Sequence, residues 1–152
     1  MRILRREIEI DAPPSQVWRV VSDFESYPAW NPFIRSISGR RDRGAKLEVR
    51  IAPPGGRPMT FRPTVQSLEE GRELRWLGRL LVPGLFDGEH SLLVEPLDRN
   101  HSRFVQSERF GGLLVGVLGG VLEKTEAGFE QMNRALKERA EQADRDGGGN
   151  VT

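Results

Sequence analysis

The stretch "EHSLLVEPLDRNHSRFVQSERF", residues 89–110, decides the fold. It reads as two strands, "EHSLLVEP" and "SRFVQSERF", joined across "LDRN", where Asp98 suits a turn by bonding its own backbone. If that turn closes symmetrically, Val94 lies opposite Phe104, Leu92 opposite Gln106, and His90 opposite Glu108. A slip of one residue would send every one of these side chains to the other face, so the register is an expectation to be tested.

Working outward toward the N-terminus, "VPGLFDG" (82–88) closes the preceding hairpin around Pro83, which sets Trp76 of "ELRWLGRLL" opposite His90. "EEGR" turns back into "MTFRPTVQSLE" (59–69), one strand with Met59, Phe61 and Val65 alternating and Pro63 at an edge or a bulge. "IRSIS" and "KLEVRIA" flank a turn around "RDRG", and "PPGG" is a loop. Residues 3–10 alternate as a first strand, with Leu4, Ile8 and Ile10 on one face, which is a strand pattern and not that of a signal peptide. "DAPPSQVWRVVSDF" starts a helix after Pro13 and Pro14, with Val17, Trp18, Val20 and Val21 as its apolar stripe. "ESYPAWNPF" leaves room only for a short second helix.

Beyond Phe110 the spacing of Leu114, Val117, Leu118, Val121, Leu122, Phe129, Met132 and Leu136 predicts one long helix over 112–142. The order is strand, two helices, six strands and a long helix, which indicates α+β architecture. Seven strands joined by short turns make a curved antiparallel sheet whose concave face the long helix covers.

The start of that helix, "FGGLLVGVLGGVLE" (110–123), is apolar and interrupted by Gly111, Gly112, Gly116, Gly119 and Gly120. Each interior glycine costs a helix about 1 kcal/mol against alanine. A membrane span needs roughly 20 apolar residues, and this run stops at Glu123 and Lys124 after about a dozen. Two explanations stay open: the glycines leave cavity volume and freedom of movement beside the helix, or they permit close packing of helix on sheet. Gly128 fits the second explanation better.

The 152 residues suit one domain, 1–143, followed by a tail, 144–152, with nothing to bury and an expectation of disorder. The net charge of +1, with acids and bases mixed, gives no reason to expect nucleic acid as a partner. The default expectation is a cytoplasmic protein without a transmembrane segment, its oligomeric state left open. The absence of cysteine removes disulfides and cysteine-ligated metals, and two histidines far apart give little support to a metal site. No G-x-S-x-G elbow and no phosphate-binding glycine loop occur, so no cofactor is expected.

The segments "IEIDAPPSQVWRVVSDFESYPAWNPFI", "FDGEHSLLVEP", "RFVQSERFGGLL" and "GFEQMNRALKERAE" resemble the START-like superfamily, also called polyketide cyclase/dehydratase-like or helix-grip proteins, over about residues 3–142. The resemblance implies a helix-grip fold with a cavity between sheet and long helix, usually for an apolar small molecule. It does not by itself imply one function, because the superfamily holds lipid carriers, receptors, cyclases and chaperone activators.

Placed on that fold, the hairpin register projects Trp76, His90, Gln106 and Glu108 into the concave face, with Phe61, Leu92, Val94 and Phe104 around them. A few polar groups in an apolar cup orient a guest. The helix side of the cup is expected from Leu114, Val117, Leu118 and Val121, and the mouth from Trp30 and Phe33, which equally suit a staple holding the short helix to the sheet. The candidate catalytic pair is His90 with Glu108; a structural role and ligand contact are the competing uses. His101 is expected to be a solvated turn residue. The loops 53–58 and 82–88 and the junction 109–112 should meet at one edge, as a gate or as plain connections. The leading expectation is a carrier or sensor of a hydrophobic small molecule or lipid; the alternatives are a polyketide cyclase/dehydratase-type enzyme and a module that modulates a partner protein.

Overall fold

The computed structural model describes residues 1–80, 84 and 86–149. Strand β1 (Arg2–Ile10) leads into helix α1 (Pro14–Ser22), a 3-10 turn (Phe24–Ser26) and the short α2 (Tyr27–Trp30). Strands β2 (Ile34–Ser38), β3 (Glu48–Ile51), β4 (Met59–Phe61), β5 (Thr64–Glu69), β6 (Glu73–Leu80), β7 (Phe86–Pro96) and β8 (Ser102–Gly111) follow. A 3-10 turn (Val115–Val117) precedes helix α3 (Gly119–Gly149). Pro13 sits extended before α1 and Pro14 opens it, where a missing N–H costs nothing. Val17, Trp18, Val20 and Val21 are the buried face of α1.

The strands form two antiparallel sheets, β1-β8-β7-β6-β5 and β2-β3-β4. The described residues thus hold eight strands where the alternation predicts seven. The difference lies at Arg62 and Pro63. The expected strand over 59–69 breaks there into β4, which pairs with β3, and β5, which pairs with β6. Proline has no N–H for the ladder, and its carbonyl instead accepts from Leu47 N at 2.9 Å. Gly44 N donates to Val65 O (2.8 Å) and Val65 N to Ala45 O (2.9 Å), so residues 44–47 stitch the two sheets at this break. The expected loop at 82–88 lies partly outside the described residues, as do residues 150–152 of the expected tail.

Helix α3 crosses the inner face. Leu122, Phe129, Met132, Leu136 and Ala140 recur at helical spacing and are fully buried against Leu4, Ile10, Leu92 and Phe104. Arg6, on the inner side of β1, fastens the helix by pairing with Glu126 (2.7 Å) and Glu130 (2.9 Å). Among the described residues no helix is long and apolar enough to cross a membrane.

The helix starts later and ends later than its periodicity predicts. Residues 112–118 stand outside it, and α3 is described through Gly149. Gly112 has φ +107°, which ends β8 in a conformation that side chains resist. Leu113 is 85 % exposed and Val117 74 % exposed, so both point away from the core. A β-carbon built on Gly111, Gly116, Gly119 or Gly120 would meet nothing within 4 Å. These glycines therefore neither carve a cavity wall nor allow close packing; concentrated here, they weaken helix formation until the sequence turns to Leu122 and its followers. Gly128 is different: a β-carbon there would run into the Phe33 ring.

Candidate functional site

The site grows from one row of cross-strand neighbours. Trp76 pairs with His90, His90 with Glu108, and Glu108 with Leu4, across four adjacent strands. The next row is Leu74, Leu92, Gln106 and Arg6, and the row on the other side is Gly78, Gly88 and Phe110. Side chains two apart share a face, so all three rows look at α3.

Within this frame His90 is held on every side. Its ring stacks on Trp76 (4.9 Å between centroids, 21° between planes) and meets the edge of Phe129 (5.2 Å, 70°). Its Nδ1 lies 3.2 Å from Glu108 Oε1, and its Nε2 lies 2.8 Å from Gln106 Oε1. Gln106 Nε2 in turn donates to Asn133 Oδ1 on α3 (3.0 Å). His90, Gln106 and Asn133 are all buried. The hydrogen bonds make one chain, Glu108–His90–Gln106–Asn133, from sheet to helix. With both amides turned over, Asn133 donates to Gln106, Gln106 to His90 Nε2, and His90 Nδ1–H to Glu108. That sense leaves an acceptor of Asn133 without a partner in place of its Nδ2, which is the cheaper fault.

Glu108 is the end of the chain that reaches open space. Its Oε2 lies over Gly88, where a β-carbon would collide with it. The bare backbone of Gly88 is what allows the carboxylate to lie flat there. Beside it a cavity opens between the two sheets and the start of α3. Room for the centre of a water-sized sphere is about 70 Å³. Phe33, Phe61, Trp76, His90, Glu108 and Val121 line it, as do Ile34, Val49, Ile51, Met59, Pro63, Gly78, Gly88, Phe110, Leu122 and Thr125. Thr125 spends its hydroxyl proton on Val121 O (2.9 Å).

Several expected lining residues stand elsewhere. Leu92, Phe104 and Gln106 are buried deeper in the core, with no share in the cavity wall. Trp30 packs edge-on against Tyr27 (5.2 Å), as a staple of α2, while Phe33 lines the cavity and meets Phe129 edge-on (5.7 Å). Leu114, Val117 and Leu118 precede α3 and do not line the cavity, because the helical projection that placed them needs a helix that the glycines prevent. Sequence reasoning missed Phe110, although it shares the alternation of Gln106 and Glu108. It also missed Gly78, a glycine inside an expected strand and so a mark of close approach, and Gly88, which falls in the expected loop 82–88 although β7 begins at Phe86. Ile34, Val49, Ile51 and Met59 come from the second sheet, whose position no local pattern encodes.

Of the expected meeting of loops 53–58 and 82–88 with the junction 109–112, the described residues give two approaches, one to residue 113 and one to α3. Leu113 N donates to Gly84 O (3.2 Å), and the Lys124 side chain passes 3.6 Å from the β-carbon position of Gly56. His101 is half exposed yet not free: its Nδ1 meets Asp98 (2.8 Å) and its Nε2 meets Asp11 (3.0 Å). Among the described residues no cluster of acidic residues and histidines is arranged to hold a metal ion.

A family model described as polyketide cyclase / dehydrase and lipid transport matches residues 1–141. The chain belongs to this family. No curated protein matches it by sequence. Among solved structures, the Zhui aromatase/cyclase from Streptomyces sp. R1128 is similar with a TM-score of 0.73 at 17 % identity, over 93 % of this chain and 94 % of that one. A START superfamily protein from Mycobacterium smegmatis is similar with a TM-score of 0.71 at 22 % identity, over 93 % and 98 %. The di-domain aromatase/cyclase BexL of the BE-7585A biosynthetic pathway reaches 0.71 at 16 % identity, over 91 % of this chain; the chain spans 46 % of its length. At these identities the likeness is one of fold. The family includes lipid-transport proteins and aromatase/cyclases, and all these structures share the helix-grip architecture.

Proposed function

We propose that this member of the polyketide cyclase and lipid transport family binds a hydrophobic small molecule in the cavity between its sheets and α3, as a carrier or sensor. The observation that carries the reading is the cavity itself: an apolar cup from Phe33, Phe61, Met59 and Trp76 with one carboxylate–imidazole pair at its side. Its present volume is small beside the roughly 300–1,000 Å³ of drug-sized sites, so the guest is compact or the cup widens as it enters. The segment 112–118, between the lining residues Phe110 and Val121, suits such widening, since the glycines at 111, 116, 119 and 120 lack neighbours within reach of a β-carbon. The test is native mass spectrometry of the protein from its own host, beside Gly78→Phe, which fills the cup. An apolar mass carried by the wild type and absent from the variant is expected; no carried mass, together with no saturable uptake of an apolar dye, overturns the reading.

A second reading, a cyclase- or dehydratase-type enzyme, draws on the His90–Glu108 pair. Both ring nitrogens of His90 are already engaged, one by Glu108 and one by Gln106, which favours a positioning role for the imidazole and leaves Glu108 as the group that faces a guest. A guest chemically altered by the wild type and unaltered by Glu108→Gln would replace the carrier reading with this one.

A further inference from the structure

We infer that Glu108 selects the guest: the cavity takes a neutral molecule that donates a hydrogen bond, such as a phenol or alcohol, over one bearing a carboxylate. The inference rests on the binding reading above and deepens it. The carboxylate lines the cup, with Oε1 committed to His90 Nδ1 and Oε2 lying over Gly88. Among the described residues no side chain donates to Oε2. A carboxylate is an acceptor only, so what completes it is a donor from the guest. Thr125 adds to this bias, because its proton is spent on Val121 O and its oxygen is left to accept.

Charge sets the discrimination. Neither arginine nor lysine is among the described lining residues, and the described walls are mostly apolar. A guest carboxylate would place a second anion beside Glu108 with no cation among the described lining residues to offset it, and burial of an unpaired charge is strongly unfavourable. An ammonium guest satisfies the charge but brings three donors to a site with few acceptors, so part of its hydration is lost without replacement. One hydroxyl matches one free carboxylate oxygen.

The test is calorimetric titration of the wild-type protein with naphthalene, 2-naphthol, 2-naphthoate and 2-naphthylmethylammonium at neutral pH, repeated with Glu108→Gln after a thermal melt shows that the variant is folded. A charge-assisted hydrogen bond predicts 2-naphthol binding about tenfold or more tighter than naphthalene, with 2-naphthoate weakest. In Glu108→Gln, affinity for 2-naphthol falls and the gap between 2-naphthol and 2-naphthoate closes to within about threefold, as the removal of the like charge requires. If 2-naphthoate or the ammonium binds the wild type as tightly as 2-naphthol, the selection inference is overturned while binding stands. If none of the four binds, naphthalene included, the binding reading itself is overturned and the inference with it. The wild-type series decides the matter even if Glu108→Gln does not fold.

Discussion

Two glycines facing each other across β6 and β7 show how much a single β-carbon decides here. Gly78 pairs with Gly88, and both line the cavity, but their surroundings differ. A β-carbon on Gly78 would stand 3.9 Å from Pro63, an ordinary contact, whereas one on Gly88 would collide with the Glu108 carboxylate and stand 3.4 Å from the Phe110 ring. Gly78→Ala is therefore expected to fold and to gain up to about 1 kcal/mol from reduced chain entropy. Gly88→Ala should push the Glu108 carboxylate aside and weaken uptake of 2-naphthol at little cost in melting temperature, since what must yield is the far end of a flexible side chain. Paired thermal melts and titrations check this; a Gly88→Ala protein as competent as the wild type would show that the carboxylate has somewhere else to lie. Period-two alternation and the turn at 97–100 make His90, Glu108 and Trp76 legible as one row. Neither pattern reveals that an alanine in place of Gly88 would crowd the Glu108 carboxylate, because that depends on where the Glu108 side chain comes to rest.

The stretch expected as one long helix has two parts that obey different rules. From Leu122 onward, residues 122, 129, 132, 136 and 140 form a buried stripe, and Gly128 lies under Phe33. Before Gly119 the same apolar spacing continues through Leu114, Val117 and Leu118, yet Val117 stands in solvent. Hydrophobic periodicity is a necessary signal for a helix face, and it was misleading where glycine removed the backbone preference beneath it. Substitution separates the two parts. Gly128→Ala overpacks against Phe33 and should cost about 1–3 kcal/mol in urea denaturation. Gly120→Ala enters open space and should gain between a few tenths and about 1 kcal/mol. Destabilisation by Gly120→Ala, or neutrality of Gly128→Ala, would reverse the assignment of the two parts.

At the scale of the whole molecule, the end opposite the glycine-rich segment is held by charge. His101, after the β7–β8 turn, bridges Asp98 and Asp11, and the latter follows β1. Asp98 first, then Asp11 and Glu9, hold the His101 imidazole above its ordinary range. The Asp98 carboxyl is held below its own, by the Asn100 N–H and then by His101. Other charges meet the same end: Arg103 pairs with Glu9, and Lys137 of α3 pairs with Glu141, whose carboxylate also accepts from Asp11 N. A raised imidazole stabilises the fold fully below its unfolded titration and loses that contribution as pH rises through its folded one. A depressed carboxyl contributes above its unfolded titration and loses that as pH falls through its folded one. The link is therefore strongest on the mildly acid side of neutrality and fades on the alkaline side. His101→Gln should melt below the wild type at mildly acid pH and converge with it in alkaline buffer. The groups are exposed, so the difference is small and should shrink further in high salt. A gap that stays constant across pH would show that His101 acts by packing alone.

What the sequence determined by itself is what local rules carry: the α+β class, the order of elements, the antiparallel register of β6, β7 and β8, and the row Trp76–His90–Glu108. Strand alternation and turn chemistry act over a few residues, and a hairpin transmits them unchanged to its partner. Tertiary structure decided the rest. Pro63 divided one expected strand between two sheets, and with it the half of the cavity wall that comes from Ile34, Val49, Ile51 and Met59. Asn133 joined the polar chain from α3, a position set by packing of the helix on the sheet and not by any spacing shared with Gln106. The glycines of 111–120 acquired their meaning only from their neighbours, and they have none within reach of a β-carbon at positions 111, 116, 119 and 120. Contacts between residues distant in the chain depend on volumes and approach distances that no local pattern records, and the cavity is made of such contacts.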